Sequence, residues 1–154
     1  MAWPERIVLG VIGRRADDLV LLWAFGLARR WSAELHVIAG YHPPVGMFPH
    51  IVTAREHADR RMLACRRLTQ RIQEAIDPDL APGRPETLVL VPDNQLAHAL
   101  VTRSLQADLL LLGLAPTRRL LPQRQEERAR RIAERAHCPA DLGPDRTVGD
   151  TVRT

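Results

Sequence analysis

The sequence has no lysine: all 22 of its basic residues are arginine. That points to a coding bias toward GC-rich codons, although arginine is also the better fork for a phosphate. Aromatic residues are scarce, at 4%. None is interleaved with the arginines, which argues against a base-stacking platform for nucleic acid. There are two cysteines, Cys65 and Cys138, and their spacing fits neither a metal site nor a C-x-x-C redox pair. Free thiols fit a cytoplasmic chain. The serines are Ser32 and Ser104 only, and no G-x-S-x-G, Walker A or H-E-x-x-H pattern occurs. No enzyme activity is therefore expected. The longest apolar runs, "LVLLWAFGLA" and "ADLLLLGLAP", are too short to span a bilayer, so no membrane is expected as a partner. The opening "MAWPERIVLG" lacks the charged-then-apolar pattern of a signal peptide.

What is present fits one domain. A chain of 154 residues, 45% apolar, can bury a core built mostly of Leu, Val, Ile and Ala. The net charge of +4 reflects arginines that only slightly outnumber acids. They fall in scattered pairs, such as Arg60 and Arg61, Arg66 and Arg67, Arg118 and Arg119, mostly with carboxylates nearby. That pattern reads as a solvated surface rather than a nucleic-acid stripe.

Apolar periodicity alternates between two kinds of element. "RIVLGVI" (6–12), "ELHVIAGY" (34–41), "ETLVLVP" (86–92) and "DLLLLG" (108–113) are continuous apolar runs, which predict strands buried on both faces of a parallel sheet. Between them lie helical spacings. Leu19, Leu22, Trp23, Gly26 and Leu27 predict a helix over 16–31. Ile51, Ala54, Ala58, Met62, Cys65, Leu68, Ile72 and Ile76 predict a long helix over about 51–76, with arginine outward. Leu96, Ala99, Leu100 and Leu105 place a helix over 94–105. Ala129, Ile132, Ala133 and Ala136 place the last one over about 125–137. The order β-α-β-α-β-α-β-α specifies a doubly wound parallel α/β sheet with helices on both faces. One domain over 1–142 is expected, followed by a polar tail over 143–154.

At this point the sequence resembles the universal stress protein family. "IVLGVIGR", "LLWAFGLARR" and "AELHVIAGYHPP" match that family's opening unit, and "ADLLLLG" and "IAERAHCP" match its closing half. The resemblance spans roughly residues 5–142. It implies a five-stranded sheet in the order 3-2-1-4-5, the adenine-nucleotide α-hydrolase-like arrangement. It also implies a cytoplasmic, bacterial stress-response protein, often a homodimer or bound to a protein partner. Many members bind ATP and others do not.

The departures from the ATP-binding pattern are specific. ATP binders end the fourth strand in G-x-x-G, then nine residues, then G-[ST]. Gly113 matches the first glycine; Pro116 stands at the second, and Glu126 and Glu127 at the closing pair. Pro116 lacks an N–H for a phosphate, and carboxylates repel one. Glu126 and Glu127 are expected at the start of the last helix, complementing its dipole. Ile12 stands where the family's Asp holds the adenosine end, and it cannot accept a hydrogen bond. The last strand, near 140–142, is expected to be short or absent.

The expected cleft is lined by Gly10, Ile12, Ile38, Gly113, Arg118, Arg119 and Arg124. The resemblance thus implies a degenerate stress-protein domain without a cofactor. The alternative is a domain that still holds ATP or another anion through Arg118, Arg119 and Arg124. The six histidines show no tight ligand spacing, so no metal site is expected.

Overall fold

The structure, a computed structural model, describes residues 3–12, 18–41, 53–75, 87–114 and 122–143. Its elements are β1 (Arg6–Ile12), α1 (Asp18–Arg30), β2 (Glu34–Tyr41), α2 (Ala54–Ala75), β3 (Thr87–Pro92), a 3-10 turn (Asp93–Gln95), α3 (Leu96–Ser104), β4 (Leu109–Leu114), α4 (Pro122–Arg135) and β5 (Ala140–Gly143). The strands form one parallel sheet in the order β3-β2-β1-β4-β5. The apolar runs formed the strands expected of them, and β1 and β4 are neighbours. β5 is short, at 4 residues, and pairs with β4.

Alternation along the strands divides the core in two. Ile7, Leu9 and Val11 face one side with Leu35, Val37 and Leu111, and bury Val20, Leu21 and Ala24 of α1 and Leu68 and Ile72 of α2. Val8, Ile38, Leu110 and Leu112 face the other, under Leu96 and Leu100 of α3 and Ala129 and Ile132 of α4. Burial on both faces is why these strands read as unbroken apolar runs.

Three helix readings are corrected. The buried face of α1 is Val20, Leu21, Ala24 and Ala28, while Leu22 is 48% exposed. "LVLLWAFGLA" is apolar all round, so its periodicity carries no phase; the strand-to-helix geometry sets it. In α2 the expected inward residues Ala54, Ala58 and Met62 are exposed, and burial of its apolar residues begins at Ala64 and Cys65. The helix spans 22 residues, about 33 Å at the usual rise, and outruns the sheet beneath it. Leu105 lies past the end of α3 and is exposed; Ser104 is buried in its place.

The turn from α1 to β2 shows how local bonding aims the chain. Ser32 adopts a left-handed φ of 52°. Its N–H donates to the Arg29 carbonyl, and the Ala33 N–H donates to the Ala28 carbonyl. This is a Schellman closure, with serine in the position glycine usually fills.

Candidate functional site at the strand tips

In an open doubly wound sheet the binding crevice lies beyond the carboxyl ends of the strands, where successive connections diverge. Here that point lies between β1 and β4. Their register brings Gly10 opposite Leu112, Val11 opposite Gly113 and Ile12 opposite Leu114. Gly40 and Tyr41 end β2 beside Val91 and Pro92.

Three glycines at these tips are each covered by a side chain of the same molecule. A Cβ on Gly10 would stand 2.6 Å from Leu100 Cδ1. One on Gly40 would stand 2.7 Å from Asp93 Oδ1, and one on Gly113 would overlap Val20 Cγ1. Gly113 lets α1 seat its buried Val20 directly on the end of β4. That is a packing reason for glycine here, independent of any ligand.

Among the described residues, the charged pair Asp93 and Arg128 lies beside the tip of β2, where Asp93 covers Gly40. Arg128 Nη2 donates to the Asp93 carbonyl oxygen at 2.6 Å, and Nη1 approaches both carboxylate oxygens at 3.4 Å. The two side chains are 31% and 30% exposed. The pair ties the second turn of α4 to the 3-10 turn that leads from β3 into α3. Sequence reasoning missed both residues. The available signal was Arg128 itself, an arginine four residues before Ile132 on the inward stripe of α4.

The start of α4 departs from expectation. The helix opens at Pro122, three residues before Gln125, and has no acidic residue in its first turn. Proline suits the first helical position because its missing N–H has no partner there in any case. Glu126 and Glu127 therefore lie beyond the first turn, exposed. Glu126 accepts a hydrogen bond from Arg130 at 2.8 Å, an i,i+4 pair on the helix surface. The dipole-capping role expected of these carboxylates does not hold.

The remaining expected site residues divide as follows. Gly10 and Gly113 lie at the tips of neighbouring strands. Ile38 lies in the core beneath α3, 1% exposed, rather than on an open cleft wall. Ile12 ends β1. Arg124 lies in the first turn of α4, and Arg118 and Arg119 lie outside the described residues, as do Pro116 and all of residues 13–17 and 115–121.

At the opposite, amino-terminal ends of β1, β2 and β4 lies a second polar group. Glu34 Oε2 accepts from Arg6 Nε at 3.4 Å and lies 3.3 Å from His36 Nε2. The hydrogen bond with His36, then the hydrogen bond and charge of Arg6, hold the Glu34 carboxyl below its ordinary value. Asp108 Oδ2 accepts from the backbone N–H groups of Glu5 and Arg6, at 2.9 and 3.0 Å. Burial, then the nearby charge of Asp108, push the Cys138 thiol up. Ser104 Oγ donates to the Val101 carbonyl at 2.6 Å and accepts from the His137 N–H at 2.9 Å, a structural bridge rather than a nucleophile's setting. Among the described residues no group of three His, Cys, Asp or Glu side chains is placed to hold a metal ion, and no helix is long and apolar enough to cross a membrane.

No family model matches the chain, and no curated protein does. Solved structures do. The universal stress protein UspA from Lactobacillus plantarum superposes with a TM-score of 0.62 at 17% identity, over 89% of this chain and 95% of its own. A universal stress protein solved in complex with cAMP gives 0.57 at 18% identity, over 91% and 96%. One from Archaeoglobus fulgidus, in complex with dAMP, gives 0.54 at 16% identity, over 88% and 94%. In element order, strand order and near-complete mutual coverage, this chain has the universal stress protein fold.

Proposed function

We propose that this chain is a divergent, cytoplasmic, bacterial universal stress protein that has lost ATP binding and acts without catalysis, through protein contacts, as a homodimer or with another protein. The observation that carries this reading is Val20 seated on Gly113. Gly113 is the one residue retained from the family's phosphate-loop pattern, and helix packing accounts for its retention. The other positions of that pattern offer a phosphate nothing: Pro116 has no N–H, and Glu126 and Glu127 are negative. Ile12 stands where the family has a carboxylate. Arg128, a cation near the strand tips, is already bonded to Asp93. Two proteins with this fold carry cAMP and dAMP, so the fold itself is no obstacle to an adenine nucleotide. The chemistry of this chain is.

Calorimetry with Mg-ATP at modest salt tests the proposal. Each lost charge-assisted contact costs ~1.5–3 kcal/mol, so the dissociation constant is expected at about 1 mM or weaker. A value below about 10 μM overturns the reading. Tight binding that disappears in the Arg118→Ala, Arg119→Ala, Arg124→Ala variant would establish the alternative, an anion held by these three arginines.

A further inference from the structure

We propose that the outward face of α2 docks an acidic, amphipathic segment of a partner protein; this builds on the reading that the domain acts through protein contacts. Two observations meet on this face. The first is apolar exposure. Met62 is 55% exposed and Leu63 44%, side by side in the middle of the helix. From Ala54 to Leu63 only Glu56 and His57 are even partly buried, so this half of α2 stands away from the sheet.

The second is an excess of positive charge, with exposed Asp59, three residues before Met62 and four before Leu63, as a carboxylate on the same surface. α2 carries six arginines against three carboxylates. Among the described residues, Arg55, Arg60, Arg61, Arg66 and Arg67 have no ion pair or side-chain hydrogen bond. Helical spacing sets these charges around the apolar pair. Arg66 is four residues from Met62 and three from Leu63, and Arg67 is four from Leu63, so the side chains share one surface. Methionine adapts its shape to what it meets, which suits a docking position.

The arrangement selects among partners. A bilayer needs an apolar face separated from a polar one, and here Arg66 falls between Met62 and Leu63 around the helix. Single-stranded nucleic acid is gripped with aromatic stacking, and α2 contains no aromatic residue; a duplex is gripped through its phosphates, which would leave the exposed Met62 and Leu63 uncovered. A second copy using the same face would set arginine against arginine. A helical segment with carboxylates flanking an apolar stripe answers both features at once: the stripe covers Met62 and Leu63, and the carboxylates meet Arg55, Arg66 and Arg67.

The test uses the full chain and a fluorescein-labelled helical peptide of about 18 residues, with leucine at i, i+3, i+4 and i+7 and glutamate on both flanks. Anisotropy is read at about 50 mM and about 300 mM salt. Binding is expected at low salt. It should weaken by about tenfold or more in the Met62→Ser, Leu63→Ser variant, and likewise in Arg66→Glu, Arg67→Glu. A peptide with lysine replacing glutamate should bind Arg66→Glu, Arg67→Glu better than wild type. All four positions are exposed, and circular dichroism checks that the variants fold. Absence of binding, or affinity unchanged in Met62→Ser, Leu63→Ser, overturns the proposal. So does tighter binding to phosphatidylserine vesicles or duplex DNA than to the peptide. Mg-ATP titration of the same preparations is read separately. A silent peptide with no ATP binding removes this surface and leaves the loss of nucleotide binding standing.

Discussion

α2 and α4 are both rich in arginine, yet they use it differently. α4 lies along β4 and β5, and two of its arginines are engaged: Arg128 with Asp93, Arg130 with Glu126. α2 outruns the sheet, and Arg55, Arg60, Arg61, Arg66 and Arg67 have no carboxylate partner among the described residues. Composition does not separate these helices. What separates Arg128 from the unpaired arginines of α2 is that another element lies within reach of its guanidinium; Arg130 pairs with Glu126 inside its own helix. Where one does, arginine is a structural tie; where none does, its charge is left for solvent or a partner.

The contrast can be broken most directly through the cores of the two helices. Ile132→Ala in α4, at a residue 2% exposed, is expected to cost ~2–4 kcal/mol in urea unfolding, whereas Met62→Ala in α2 should stay within ~0.5 kcal/mol. An equal loss at both would mean that α2 is covered. At the strand tips, Gly113→Ala should cost ~1–3 kcal/mol by forcing a methyl against Val20, and adding Val20→Ala should recover part of that loss. Simple additivity would show that the glycine serves something other than helix packing.

Removal of single arginines comes next. Arg128→Ala is expected to cost ~1–2 kcal/mol, mainly through the lost bond to the Asp93 carbonyl, because the pair is partly solvated. Arg66→Ala should change stability by no more than ~0.5 kcal/mol. A large effect at Arg66 would make α2 resemble α4 after all.

The smallest effect is at Glu34, whose pKa is lowered in the folded state. A depressed carboxylate contributes stability that is present above its unfolded pKa and is lost as pH falls through the folded value. Glu34→Gln should therefore lower the melting temperature slightly at neutral pH, and the difference should close below the ordinary glutamate range. A difference that grows on acidification would reverse the assignment.

Sequence spacing placed the strands well because each is apolar on both faces, and such runs have few other homes. It failed where the pattern has no phase or no boundary. α1 is apolar all round, so its inward face could not be read. The stripe of α2 continues past the point where the sheet stops, and nothing in Ala54, Ala58 or Met62 marks that point. The start of α4 was set three residues late because the glutamates resembled a helix opening, while Pro122 provided one earlier. At the site, the departures at Ile12, Pro116, Glu126 and Glu127 were legible, since they are absences of a chemical group. Asp93 and Arg128 were not, since they lie 35 residues apart and only folding makes them a pair.

By itself the sequence determined the alternation of strand and helix, the double-sided burial of the sheet and the residue types at Ile12, Pro116, Glu126 and Glu127, because periodicity and side-chain type are local properties. Tertiary structure alone decided that Val20 fills the space over Gly113, that Arg128 is bonded to Asp93, and that half of α2 stands uncovered. Those outcomes depend on distances between elements and on where the sheet ends, and no residue carries that information alone.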